Sequence, residues 1–149
     1  ELSRQCKILL PLHPRTQKII NGDEDLKKKS QTIQLLDPVS YLDMILLEKH
    51  AQLICTDSGG VQKEAYFLGK PCITMRDQTE WVETTDSGWN VVTGADTNRI
   101  LEACQAAMNW LKQKAEPTPF PLRSSSPKSQ FGNGKAAERI VADIVRFLE

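Results

Sequence analysis

The sequence predicts an α/β fold in which a parallel β-sheet carries helices on both faces. Short apolar runs, typical of buried strands, alternate along the chain with segments whose apolar residues recur at helical spacing. The connections between them are short, as in repeated strand–helix–strand units. Such sheets bind ligands at the carboxyl ends of their strands, so the loops at those ends are the candidate functional regions.

Five apolar runs are predicted as strands: KILLPL at 7–12, TIQLL at 32–36, AQLICTD at 51–57, PCITM at 71–75 and NVVTG at 90–94. The first run is dense in apolar residues, which is typical of a strand covered on both faces.

Helical segments separate these strands. Pro14 is predicted to begin a helix that leads to a turn at 21–22, and the charged segment 23–31 is predicted to lie on the surface. Asp37 and Pro38 are expected to be the N-cap and the first residue of the next helix.

The helix GVQKEAYFLG is predicted to end at Gly69, and TNRILEACQAAMNWLKQK at 97–114 is a long amphipathic helix. Between the fourth and fifth strands lies a predicted loop at 76–89. Trp81 and Trp89 flank this loop, either to cover a ligand or to pack against the domain.

Three parts are predicted along the chain: a domain at 1–115, an extended segment at 116–135 and a C-terminal helix at 136–149. The middle part is rich in Pro, Ser and Gly, which favours an extended surface path. The last part is amphipathic, and a helix that follows a long crossing segment is expected to dock away from its sequence neighbours.

The bulk composition is that of a globular domain. The 149 residues include 19 Lys plus Arg and 19 Asp plus Glu, so no basic field favours nucleic acid. No apolar run approaches the length of a membrane span, and no signal peptide is recognisable. The chain lacks an initiator methionine, and we expect a fragment of a longer protein or a single expressed domain.

Four cysteines show no metal-ligand spacing, and at least three fall in apolar runs that predict buried free thiols. Buried free thiols are typical of a reducing cytoplasm. No catalytic triad, acid pair or metal cluster can be assembled from the sequence, so no cofactor or metal is expected.

The segment TDSGGVQKEAYF places a glycine pair between a predicted strand and a predicted helix. The first amides of a helix lack partners and its dipole favours negative charge, so this turn is a candidate anion site. Ser58 can cap the helix or donate its hydroxyl to a phosphate, while Gly59 and Gly60 allow close approach of the backbone. A turn that merely packs tightly is the alternative.

Further polar residues accompany the turn. Glu64 would repel a phosphate, so it either accepts hydrogen bonds from a ribose or is an ordinary solvated glutamate. His13 follows the first strand, and Arg15 and Arg76 could meet a diphosphate, although each is also compatible with a turn or surface role.

The segment TDSGGVQKEAYFLGKPCITMRDQTEWVE resembles the signature of the non-hydrolysing UDP-N-acetylglucosamine 2-epimerases. PLHPRT, DPVSYLDMILLEKH and FGNGKAAERIVADI are similar to the same family, in the same order along the chain. The resemblance implies the C-terminal, Rossmann-like half of a two-domain fold of the glycosyltransferase-B type.

For a member of this family, Ser58, Gly59 and Gly60 would contact the UDP diphosphate and Glu64 would bind the ribose. The loop Pro38–Tyr41 would lie near the uracil. The resemblance implies elimination and re-addition of UDP, with the acids and bases supplied by a missing N-terminal domain. The isolated chain would then bind without turnover. The whole enzyme would be a cytoplasmic homodimer serving surface polysaccharide synthesis.

One position departs from the family pattern. The family commonly has an arginine where this chain has Trp81, which indicates a subgroup acting on a modified sugar such as a UDP-linked diacetamido uronic acid. Arg76 could replace part of the missing charge. Two alternative hypotheses are a glycosyltransferase of the same fold and a module that only binds UDP-sugar.

Overall fold

A computed structural model describes residues 1–113 and 131–148 of the chain. Contacts divide the chain into two compact units, Glu1–Leu47 and Glu48–Glu149. Most of the predicted extended segment at 116–135 lies outside the described residues. The domain bounds predicted from the sequence therefore stay a prediction.

The first unit contains a two-stranded parallel sheet of β1 (Leu9–Pro11) and β2 (Gln34–Leu36). Leu9 is paired with Gln34, in the register of the two predicted runs. The expectation that β1 is covered on both faces is wrong, because Leu9 and Leu10 are 40% and 37% exposed. An apolar run indicates a strand, but what covers that strand depends on packing.

The helices of this unit begin at caps that the sequence only partly revealed. After a short 3-10 turn (Leu2–Arg4), α1 (Pro14–Gly22) begins at Pro14 as predicted, and the predicted turn at 21–22 lies in its final residues. Residues Glu24–Ser30 form α2, where only a charged surface segment was expected. The Asp23 carboxylate accepts hydrogen bonds from two amides of α2, which explains why this polar segment is helical.

The third helix, α3 (Tyr41–His50), begins later than predicted. Ser40, rather than Asp37, caps it: the Ser40 hydroxyl accepts a hydrogen bond from the Asp43 amide at 3.2 Å and donates one to the Asp43 carboxylate at 2.6 Å. The helix begins where the Ser40 hydroxyl satisfies the Asp43 amide, one of the first amides of the helix, so Pro38 precedes the helix instead of opening it.

The second unit contains a three-stranded parallel sheet of β3 (Ile54–Thr56), β4 (Cys72–Thr74) and β5 (Asn90–Val92), in that order. Helix α4 (Gly59–Phe67) links β3 to β4, and α6 (Thr97–Gln113) follows β5. A short helix, α5 (Val82–Asp86), lies within the predicted loop at 76–89. The strand, helix and order predictions for this part of the chain are thus confirmed, apart from α5.

Helices cover both faces of the central strand. Cys72 packs with Ala65 of α4 on one face. Cys55, which pairs with the next residue of β4, lies on the opposite face, 3.6 Å from Cys104 of α6. This arrangement confirms the predicted sheet with helices on both sides.

The cysteines do not follow the prediction completely. All four lie among the described residues and are thiols, but Cys72 and Cys104 are buried whereas Cys6 and Cys55 are exposed. The expectation of at least three buried thiols is therefore wrong. Cys55 lies in an apolar run, yet its position near the α6 side of β3 leaves it accessible.

Helix α4 ends at Gly69, as predicted. The amide of Gly69 donates to the Tyr66 carbonyl, and the amide of Lys70 donates to the Ala65 carbonyl. These two hydrogen bonds form a Schellman motif. Gly69 adopts φ 64°, a conformation that only glycine adopts without strain.

The left-handed conformation of Gly69 predicts that a side chain at this position destabilises the fold. Gly69→Ala should lower the free energy of unfolding by about 1 kcal/mol, since a side chain strains the left-handed conformation. Gly22→Ala is the matched control, because a Cβ there has no heavy atom of the described part of the chain within 4 Å and φ is not positive. Urea denaturation of both variants measures the difference, and an equal effect at the two positions would refute the assignment.

The C-terminal helix α7 (Ala136–Leu148) has the predicted amphipathic face, and this face is exposed. Ile140, Val141, Ile144 and Val145 are 51–60% exposed.

Across residues 1–113 and 131–148, none of the helices combines the length and the apolar character needed to cross a membrane.

Candidate functional site

The candidate site is the turn between β3 and α4. The Ser58 amide donates to the Thr56 hydroxyl at 3.0 Å, which holds the chain in a tight turn directly before Gly59 opens the helix. The first amides of α4 have no carbonyl one turn earlier within the helix, so they can receive an anion together with the positive end of the helix dipole.

Ser58 occupies the N-cap position of α4, but its side chain makes no capping hydrogen bond. The capping role considered from the sequence is therefore wrong. The alternative, donation of the Ser58 hydroxyl to a phosphate, stays a prediction.

The two glycines of the turn differ in their surroundings. A Cβ on Gly59 would collide with the Glu80 carboxylate and lie 3.4 Å from the indole nitrogen of Trp81. Among the described residues, a Cβ on Gly60 would meet only the Ser58 hydroxyl, at 3.8 Å. Gly59 therefore permits the close approach of Glu80 and Trp81, while Gly60 leaves the backbone open.

Arg76 reaches this turn through Glu80. Its guanidinium donates to one Glu80 carboxylate oxygen at 2.9 Å, and the other Glu80 oxygen lies against Gly59. The start of α4 is thus already next to a carboxylate, which the helix dipole stabilises. The Arg76–Glu80 pair could not be predicted from the sequence, because its contact with Gly59 depends on how the loop packs against α4.

Lys63 and Trp81 form a second pair that sequence reasoning missed. The Lys63 ammonium lies 4.2 Å from the centre of the Trp81 ring and 4.9 Å from that of Phe131, within cation–π range. The buried Trp81 indole N–H has no hydrogen-bond partner within the described part of the chain. Trp89 instead packs edge-on against Trp110, so the packing alternative holds for Trp89.

A buried polar network fixes the loop that carries Arg76 and Trp81. The Asn90 amide donates to the Thr84 hydroxyl at 3.0 Å and to the Gln62 carbonyl oxygen at 3.3 Å, and its oxygen accepts from Thr74 at 2.7 Å. The Thr79 hydroxyl donates to the same Gln62 oxygen. Side chains of β4, β5, α4 and α5 are joined in this way, so the loop is tied to the sheet.

Glu64 lies one helical turn beyond Gly60, on the same face of α4, because residues four apart are neighbours on a helix surface. The carboxyl group of Glu48, at the end of α3, packs against it, and Glu48 is 3% exposed. Burial, reinforced by the negative charge of Glu64, raises the pKa of Glu48 from 4.5 to about 7. Nothing in the sequence distinguishes Glu48 from an ordinary helical glutamate.

The remaining predicted site residues belong to the first unit. His13 is the N-cap of α1, where its Nδ1 accepts a hydrogen bond from the Arg15 amide at 3.3 Å. Tyr41 is the first residue of α3 and is 68% exposed. The roles of both residues in ligand binding stay predictions.

Comparison with known proteins matches residues 1–145 to the family model described as UDP-N-acetylglucosamine 2-epimerase. A UDP-2,3-diacetamido-2,3-dideoxy-D-glucuronate 2-epimerase of Pseudomonas aeruginosa is 52% identical over 133 residues, which are 89% of this chain and 33% of the relative. A UDP-N-acetylglucosamine 2-epimerase homolog of Methanococcus maripaludis is 43% identical over 137 residues, 91% of this chain and 35% of the relative.

Solved structures of UDP-GlcNAc 2-epimerases are also similar to this chain. The crystal structure of Methanocaldococcus jannaschii UDP-GlcNAc 2-epimerase in complex with UDP-GlcNAc and UDP is similar to this chain with a TM-score of 0.71 and 37% identity. The match covers 96% of this chain and 36% of that one. The chain thus spans about a third of the length of the curated relatives that it matches.

Proposed function

Because this chain belongs to the UDP-N-acetylglucosamine 2-epimerase family, we propose that it supplies the UDP-binding part of a UDP-sugar 2-epimerase. The observation that carries the proposal is the glycine turn that opens α4, with Glu64 one turn further on the same face. A diphosphate and the adjoining ribose are chemically matched to these two positions.

The diphosphate would bind at the start of α4. Amides of the first turn and the Ser58 hydroxyl are donors for its oxygens. The Trp81 indole N–H, which has no hydrogen-bond partner among the described residues, lies beside Gly59 at the same turn. The diphosphate would take the position that the Glu80 carboxylate now occupies beside Gly59. Arg76, released from Glu80, would then be available to pair with a phosphate.

The ribose would bind at Glu64. A carboxylate repels phosphate but accepts hydrogen bonds, and two adjacent hydroxyls offer two donors to its two oxygens. Four residues separate Glu64 from Gly60, so their backbones lie about 6 Å apart along the helix axis.

In the reaction, this chain would stabilise the leaving diphosphate. The hydrogen on C2 of the sugar is not next to a carbonyl, so direct deprotonation is unfavourable. Elimination of UDP across C1 and C2, followed by re-addition with the opposite configuration at C2, avoids that step. Negative charge then develops on the departing diphosphate, where amides at a helix start and a serine hydroxyl stabilise it.

Binding of UDP by the chain is the first test. Isothermal titration should show binding of UDP in preference to GDP, and Glu64→Ala should weaken UDP binding about tenfold or more, as for a lost hydrogen bond to a charged group. The same variant should lose the preference for UDP over 2′-deoxy-UDP. Unchanged affinity in Glu64→Ala would remove Glu64 from the site. Glu102→Ala, at an exposed position of α6, is the matched control.

The chain by itself is expected to show no epimerisation of UDP-sugars. The groups that act on C2 are proposed to lie in a second domain, and a half-site cannot position the sugar for reaction. Proton NMR of UDP-GlcNAc incubated with the chain in deuterated water checks this, since turnover exchanges the hydrogen at C2. Detectable exchange would contradict the placement of the catalytic groups.

The substrate is proposed to be UDP-GlcNAc or a modified relative. Trp81 stands where the family commonly has arginine, and the 52% identical relative is named for a UDP-diacetamido glucuronate. These two observations favour the modified sugar as the second candidate. Turnover of each UDP-sugar by the two-domain enzyme separates the two.

The proposal extends to the location, the second domain and the oligomeric state of the enzyme. Four free thiols are compatible with a cytoplasmic enzyme serving surface polysaccharide synthesis. The exposed apolar face of α7 would pack against a second domain, and the whole enzyme would be a homodimer. Coverage of about a third of the relatives' length supports the second domain.

A further inference from the structure

Glu48, in the last turn of α3, is a buried carboxyl group with no assigned role. Only 3% of its surface is exposed, and neither of its oxygens has a hydrogen-bond donor among the described residues. An ionised carboxylate in such a place is unfavourable. The neutral acid is favoured, because it removes the charge and provides a proton to donate.

The carboxyl group of Glu64, on α4, is the side chain that interacts with Glu48, both through its charge and as a hydrogen-bond partner. The thiol of Cys72, on β4, is the other titratable group described as facing Glu48, and burial raises its pKa to about 12. The thiol therefore stays neutral near pH 7. Two carboxyl groups in contact cannot both ionise without strong repulsion, so one proton between them is the stable arrangement.

We propose that Glu48 positions Glu64 for its ligand by donating a hydrogen bond to one Glu64 oxygen, which leaves the other oxygen held towards the ribose hydroxyls. The inference rests on the proposed function of Glu64. The proton stays on Glu48 during binding, and no group is transferred. Loss of that proton replaces the hydrogen bond with repulsion between two carboxylates, so UDP affinity falls as the pH rises.

Two variants at Glu48 test the role of its proton. Glu48→Gln keeps a donor that cannot ionise, and Glu48→Met keeps a similar volume without a donor. Isothermal titration of the chain with UDP should show Glu48→Gln binding as tightly as the wild type at pH 6 and about three- to tenfold more tightly at pH 8. Glu48→Met should bind three- to tenfold more weakly than Glu48→Gln at both pH values, by about the same factor.

The comparison is made between variants at each pH, because a phosphate group itself titrates near pH 6. A merely structural role for Glu48 would not produce a pH-dependent ratio of wild type to Glu48→Gln. Ratios of one for both variants at both pH values, in a wild-type chain that binds UDP, would overturn the proposal.

A second measurement needs no ligand. Carbon-13 NMR of the glutamate carboxyl groups should show Glu48 titrating well above pH 4.5, and at a lower pH in the Glu64→Gln variant. Titration of Glu48 near 4.5 would overturn the shared proton. If the carboxyl pair titrates as expected while the wild-type chain binds no UDP, the proposed function fails and the carboxyl pair stands.

Discussion

Replacing Glu48 with glutamine is expected to raise the free energy of unfolding at pH 8 by about 3 kcal/mol and to change it little at pH 4. Burial, reinforced by Glu64, raises the pKa of Glu48 from 4.5 to about 7 in the folded chain. Between these two values the folded state holds a proton that the unfolded state has released. Stability therefore falls as the pH rises from about 4.5 to about 7, and the loss is complete above that range.

The size of the effect follows from the separation of the two pKa values, since each pKa unit corresponds to about 1.4 kcal/mol. Glutamine cannot ionise, so the free energy of unfolding of the variant does not fall in this way as the pH rises. Urea denaturation at pH 4 and pH 8 measures the difference, with Glu102→Gln as the control that removes a carboxyl group from an exposed position. A pH-independent difference between wild type and Glu48→Gln would contradict the raised pKa.

Asn90→Ala is expected to lower the free energy of unfolding by about 3 kcal/mol. Asn90 is 3% exposed and makes three hydrogen bonds, to Thr74, Thr84 and Gln62. Alanine leaves the Thr74 hydroxyl without its Asn90 acceptor, and an unsatisfied buried group costs about 1–3 kcal/mol. It also removes the Asn90 hydrogen bonds to the Thr84 hydroxyl and to the Gln62 oxygen, although that oxygen keeps its donor from Thr79. The void left by the shorter side chain adds to this cost.

Asn109→Ala is the matched control for Asn90. Asn109 lies on the exposed face of α6 and accepts a single hydrogen bond from Gln105. Alanine is a better helix former there, so the variant should be as stable as the wild type or slightly more stable. Chemical denaturation of the two variants side by side tests the network, and similar effects at both positions would show that the buried network adds little.

The strands were predictable because their signal is local. Each of the five apolar runs contains a strand, and α4 ends at the glycine that the sequence indicated. Short polar helices were not predictable in this way. Helices α2 and α5 have little apolar periodicity, and α2 depends on its cap at Asp23. The two faces of β1 illustrate the same limit, because composition does not show which neighbours cover a strand.

The glycine turn, the helix that follows it and the resemblance to a family could be recognised from the sequence, because these depend on residues that are adjacent along the chain. What surrounds the turn depends on tertiary packing. Glu80 against Gly59, Lys63 over Trp81 and Glu48 against Glu64 each join residues from different elements. Their contacts depend on how helices and loops pack on the sheet, and burial of Glu48 by that packing is what changes an ordinary glutamate into a proton donor.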